Sequence, residues 1–128
     1  MAQAGTLRRM LGLHELNGIL VVVATLLAAG WGFVFARRGR TPGRLYAHLL
    51  ALSQSLVIAQ VALGLLLLSD GRRNADELHY VYGTLALLAV LSPWLYAPPV
   101  PARRLLWFAG ASFLGGALAI RAYTTGGG

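Results

Sequence analysis

The chain has no cysteine and no lysine, and only four acidic residues, Glu15, Asp70, Asp76 and Glu77. Without cysteine there is no disulfide, no thiolate metal site, no iron–sulfur cluster and no covalent heme attachment through Cys-x-x-Cys-His. Without lysine, the net charge of +7 rests on eleven arginines. Charged residues make up 12% of the chain, against about 25% in a soluble domain. There is also no glycine-rich phosphate loop, no nucleophile–base set and no acidic pair inside an apolar run. Phosphoryl transfer, hydrolysis and proton pumping therefore have no visible machinery.

What the chain has is apolar length. It is 57% hydrophobic with a mean hydropathy of +0.64. No charge falls in residues 16–36, 45–69, 78–102 or 105–120. A spanning helix needs about 20 mainly apolar residues. The expected fold is an all-α, integral-membrane four-helix bundle formed by residues 1–128 as one domain, with helices at about 11–36, 45–68, 78–96 and 105–123; the first begins as early as Thr6 on a wider reading. Arg8 and Arg9 resemble the start of a signal peptide, but the following apolar run is too long and "HELN" interrupts it, so it reads as a retained helix. "RRGRTPGR" and "APPVPARR" are breaker-rich turns. In "SDGRRNADE", Asn74 or Asp76 is placed to cap the next helix. "TTGGG" reads as a flexible tail. Connections this short make neighbouring helices antiparallel, up-down-up-down.

Helices one and three then start on the same side. The opposite side carries Arg37, Arg38, Arg40, Arg44, Arg103 and Arg104, and the starting side carries Arg8, Arg9, Arg72, Arg73 and Arg121. Positive charge favours the cytoplasm, so the termini are expected outside. Arginine pairs flanking apolar runs meet lipid headgroups, which makes the bilayer the expected partner and not nucleic acid. The bias toward Ala, Gly, Leu and Arg without Lys goes with GC-rich bacterial genomes, and the expected location is a bacterial inner membrane. Trp31, Tyr46, Trp94, Tyr96 and Trp107 fit an aromatic belt at one boundary, and Tyr80, Tyr82 and Tyr123 one at the other.

Two of the three histidines open parallel helices at matching depth: His14 in "LHELNG" and His79 in "ELHYVYG". Each is followed four residues later by a glycine, Gly18 and Gly83, on the same helical face. A missing side chain lets a flat ligand approach the backbone. Two such helices facing one another suit a non-covalent heme B with both imidazoles as axial ligands. Gln60 and Gly64 of "QVALG" share one face of helix two, with Ser53 two turns earlier. Arg72 and Arg73, and also Arg8 and Arg9, are cations at the same end for the propionates. His48 lies at the other end and points about 120° from Gln60 at the helical angle per residue.

"QVALG", followed by a loop and "ELHYVYGTLALL", resembles heme A synthase. In that family a Gln-x-x-Leu-Gly helix precedes a helix bearing a heme-coordinating histidine, and an earlier helix carries its partner. The resemblance covers most of helices one to three and implies His14 and His79 as ligands. The chain departs from that pattern in having one bundle where the family has two in tandem, and in having Glu15 after His14 where the family typically has arginine. What carries over is heme binding, as in small di-histidine b-type cytochromes, and not heme A synthesis. Six-coordination points to an electron relay, more an electron-transfer protein or subunit than a stand-alone enzyme, with a quinone and larger membrane-complex subunits or a second copy as candidate partners.

Other readings compete. Zinc needs three or four ligands, so Glu15 or Glu77 would have to join the histidines; both acids also suit helix starts for dipole reasons alone. Gln60 is able to hydrogen-bond across the bundle, and Gly110, Gly115 and Gly116 suit close helix packing. A cofactor-free structural or assembly subunit is the alternative function. A transporter lacks the expected charges inside the membrane.

Overall fold

The computed structural model describes residues 2–71 and 76–126. The elements are α1 (Ala2–Arg37), α2 (Arg44–Ser69), α3 (Leu78–Leu91), the one-turn α4 (Pro93–Tyr96) and α5 (Pro101–Thr125). The protein is an all-α four-helix bundle, with α4 prolonging α3, and among the described residues four segments are long and apolar enough to cross a membrane: Ala4–Arg37, Arg44–Ser69, Leu78–Tyr96 and Pro101–Thr125. Arg72 and Arg73, expected beside the heme propionates, and Asn74, expected as a cap, lie outside the described residues.

Each boundary has a local cause. α1 ends at Gly39, whose φ of 64° is the left-handed conformation glycine adopts without strain; Arg40 N–H donates to Phe35 O and Gly39 N–H to Ala36 O, closing the helix in a Schellman motif. Asp76 accepts the Leu78 N–H at 2.9 Å and caps α3. Pro101 begins α5 where a missing N–H costs nothing, so the last helix starts a turn before residue 105. α1 also begins earlier than expected. At 36 residues it is about 54 Å long, well beyond a hydrocarbon core of about 30 Å, and its first turns project past the bundle.

The third span is interrupted rather than ended at Pro93. Proline supplies no N–H to the carbonyl four residues earlier, and the Ser92 hydroxyl donates to that Ala89 carbonyl at 2.8 Å. One residue on, Gln54 Nε2 donates to the Val90 carbonyl at 3.3 Å, and the Gln54 carbonyl oxygen accepts the Trp94 indole N–H at 3.1 Å. A buried glutamine on α2 thus offsets the break in α3, which a membrane requires because water cannot.

The interior is small and the exterior is large. Ala24, Thr25, Ala28, Ser53, Ala86, Ala109, Ser112, Gly115 and Gly116 are buried, whereas Leu13, Leu16, Leu27, Leu52, Leu65, Leu85 and Phe113 are exposed. Lipid is as apolar as leucine, so bulk does not drive burial, and small residues let backbones approach. A Cβ on Gly115 would collide with Val90 Cγ1 of α3, and one on Gly116 would fall 2.9 Å from Thr25 Oγ1 of α1. Both glycines serve close packing as expected; Gly110 does not, since nothing stands within 4 Å of where its Cβ would be. Tyr46 departs from the expected belt. It is buried with Leu50, Leu105 and Phe108, its hydroxyl 3.0 Å from a would-be Cβ on Gly32. α1 packs on α2 and α5, α3 packs on α5 and more lightly on α2, and α1 and α3 stand diagonally across the bundle.

Candidate functional site

His14 and His79 come from the diagonal helices, yet their ring centres lie 6.0 Å apart with the planes at 77°. His79 lies in the first turn of α3, and His14 in the first half of α1. Both rings are partly buried.

A hydrogen-bond chain orients His14. A backbone carbonyl only accepts, so the Leu56 carbonyl draws the Asn17 amide nitrogen to 2.9 Å. The same nitrogen donates to the Gln60 carbonyl oxygen at 2.9 Å. That leaves the Gln60 NH2 facing His14 Nε2 at 3.5 Å, the long limit of such a contact. An NH2 group only donates, so the neutral ring keeps its lone pair at Nε2 and its proton at Nδ1. His79 reaches the same tautomer by another route: its Nδ1–H donates to the Ala122 carbonyl of α5 at 2.7 Å. The His79 Nε2 lone pair is therefore left for a ligand role, its opposite nitrogen anchored as ligating histidines usually are, whereas the His14 Nε2 lone pair is directed at the Gln60 NH2. His14 Nδ1, by contrast, is buried without a partner.

The expected glycines divide into two kinds. Nothing stands within 4 Å of a would-be Cβ at Gly83, and at Gly64 only His14 Cε1 does, at 3.4 Å. Gly18 does not provide clearance. Gln60 Nε2 occupies that space, 3.0 Å from where the Cβ would be, and Tyr123 closes it at 4.0 Å. Ser53 turns to its own helix and donates to Leu50 O. His48 is exposed at the far end of the bundle.

Two imidazoles gripping one iron from opposite sides have ring centres about 6 Å apart, given metal–nitrogen bonds of about 2 Å. The ring spacing is compatible with two imidazoles on one iron, and such ligation by His14 requires the Gln60 amide to turn away from its Nε2. Among the described residues no group of three or more His, Cys, Asp or Glu converges, so the tetrahedral zinc alternative has no ligand set. Of the cations, Arg8 and Arg9 are exposed on the projecting turns of α1, and Arg121 lies over the Tyr82 ring at 5.4 Å.

Sequence reasoning missed Asn17 and everything α5 contributes. Gly126, read as tail, caps α5 and lies under His79, a would-be Cβ there meeting the ring at 3.1 Å. Asn17 had a signal: it stands three residues after His14, hence on its face. In comparisons with known proteins, no family model, curated protein or solved structure matches the chain.

Proposed function

We propose that the protein is a heme B-binding membrane cytochrome of a bacterial inner membrane that relays electrons, as a subunit of a respiratory-type complex with a quinone as a candidate partner. The observation that carries this reading is the approach of His14 and His79 to 6.0 Å from diagonal helices with no direct packing between them. Bound heme, which His14 and His79 would hold, would supply one-electron chemistry. The residues do the rest. His79 would offer Nε2, with Ala122 O holding the ring against rotation; His14 would offer Nε2 once the Gln60 amide turns away from it, Gly64 gives the His14 ring its room, and Gly83 carries no side chain beside His79.

The test is an optical spectrum of protein purified under heme-replete conditions. The expected result is a heme absorbance that shifts on reduction with dithionite and is abolished by His14→Ala or His79→Ala. A colourless protein overturns the reading. One observation favours a cofactor-free structural subunit: Gln60 already fills the space at Gly18, and His79 already rests on Gly126. That role predicts co-purification with larger subunits unchanged by either histidine substitution.

A further inference from the structure

At the bundle end away from the histidines, two grooves run along the lipid-facing surface. One, of about 430 Å³, lies between α3 and α5 and is lined by Ala89, Ser92, Leu106, Trp107, Gly110 and Leu114. Its floor is Gly110, which has nothing within 4 Å of its missing Cβ. The other, of about 370 Å³, runs along α1 past Leu26, Gly30, Trp31 and Val34, and Gly30 is equally bare. Both open toward arginines. Arg103 stands three and four residues before Leu106 and Trp107, and Arg37 and Arg38 three and four residues after Val34, so each arginine shares a face with its groove. All three arginines are exposed. The four acids of the chain all lie at the opposite end, so no carboxylate of the chain neutralises them.

A bare glycine floor, a tryptophan beside it and an unneutralised guanidinium at the boundary thus occur twice, on different helices. Apolar volume alone would take any hydrocarbon; the uncompensated charge at the mouth selects what carries it. The geometry points to two binding sites for anionic phospholipid in the leaflet at the arginine-rich end, with an acyl chain over Gly110 or Gly30 and the headgroup phosphate on Arg103 or on Arg37 and Arg38. Guanidinium pairs with phosphate in bidentate fashion, and the exposed Trp107 suits the headgroup level, whereas the Trp31 indole N–H is buried against the bundle and that ring only walls its groove. The inference does not depend on heme.

Trp107 reports on its own groove. The chain is placed in phosphatidylcholine nanodiscs containing either brominated-acyl phosphatidylglycerol or brominated-acyl phosphatidylcholine at equal mole fraction. The Trp107 signal is the difference between wild type and Trp107→Phe. Quenching by the anionic lipid is expected to report about a fivefold preference, the factor one arginine at the surface supplies. Arg103→Gln should reduce that preference toward unity. Gly110→Leu should lower quenching by both lipids while helicity by circular dichroism is unchanged, because the added side chain meets open space. Equal quenching of Trp107 by the two lipids overturns the proposal, as does a preference that survives both substitutions. A dimer in nanodiscs that Gly110→Leu dissociates overturns it as well, by assigning the groove to a second copy. Should Gly110→Leu fail to fold, Arg103→Gln alone decides.

Discussion

Asn17 shows how a neutral residue decides the chemistry of a histidine it does not touch. Its amide nitrogen serves two acceptors, Leu56 O and Gln60 Oε1, and so fixes which end of Gln60 meets His14. Replacing it by leucine frees Gln60 to rotate and lets His14 take the other tautomer. Asn17→Leu is expected to cost about 1–2 kcal/mol in a denaturation titration from detergent micelles, the range of interhelical polar contacts in membranes. If heme is bound, the same variant should keep its absorbance but shift its reduction potential, and an unshifted potential would reduce Asn17 to a packing role. His14, His79, Gln60 and Gly64 were legible in the sequence because helical spacing places residues four apart on one face, and antiparallel neighbours put both histidines at one end. Gly18 and Gly126 were not legible in their roles. Which side chain fills the space at a glycine depends on which helix lies opposite, and the apolar pattern is nearly uniform around each helix.

Among the elements, α3 and α5 depend most on close approach. Gly115 lets α5 pass against Val90 and the Ala86 backbone, and a side chain there has nowhere to go because a would-be Cβ collides with Val90 Cγ1. Gly115→Ala is expected to destabilise the bundle by about 1–3 kcal/mol, the usual cost of overpacking. Val90→Ala in the same chain should recover part of that loss, since the clash is with the valine methyl; denaturation titration of the single and double variants measures the coupling. The pair "SP" at Ser92 and Pro93 was readable as a bend, since proline removes a helical donor wherever it sits. The compensation was not readable. It comes from Gln54, 39 positions earlier by residue number, and only the tertiary arrangement brings that amide to the Val90 carbonyl. α1 shows the converse. Its early start was blurred by Arg8 and Arg9, which break the apolar run without breaking the helix.

The whole molecule is built inside out relative to a soluble bundle. Small and hydroxyl-bearing residues fill the interior, and leucines face outward where lipid receives them at no cost. That arrangement and the four spans fit a multi-pass membrane protein, and the charge pattern carries the expectation of orientation. Six arginines lie on the side of the first and third loops and five on the other, so the balance is narrow. Acids weigh little in this rule, and the arginines closest to span ends weigh most. Arg37, Arg38 and Arg40 directly follow the first span, the one that usually dominates insertion. Changing these three to glutamine leaves three arginines on that side against five, which reverses the bias. The absence of cysteine makes the measurement clean, because a single Thr41→Cys or Thr124→Cys is the only thiol in the chain. With an impermeant maleimide on intact cells, Thr124→Cys should label and Thr41→Cys should label only after permeabilisation. In the triple-glutamine background, labelling should move toward Thr41→Cys in intact cells. Labelling of Thr41→Cys from outside in the otherwise unaltered chain would place the arginine-rich end outside and overturn the assigned orientation.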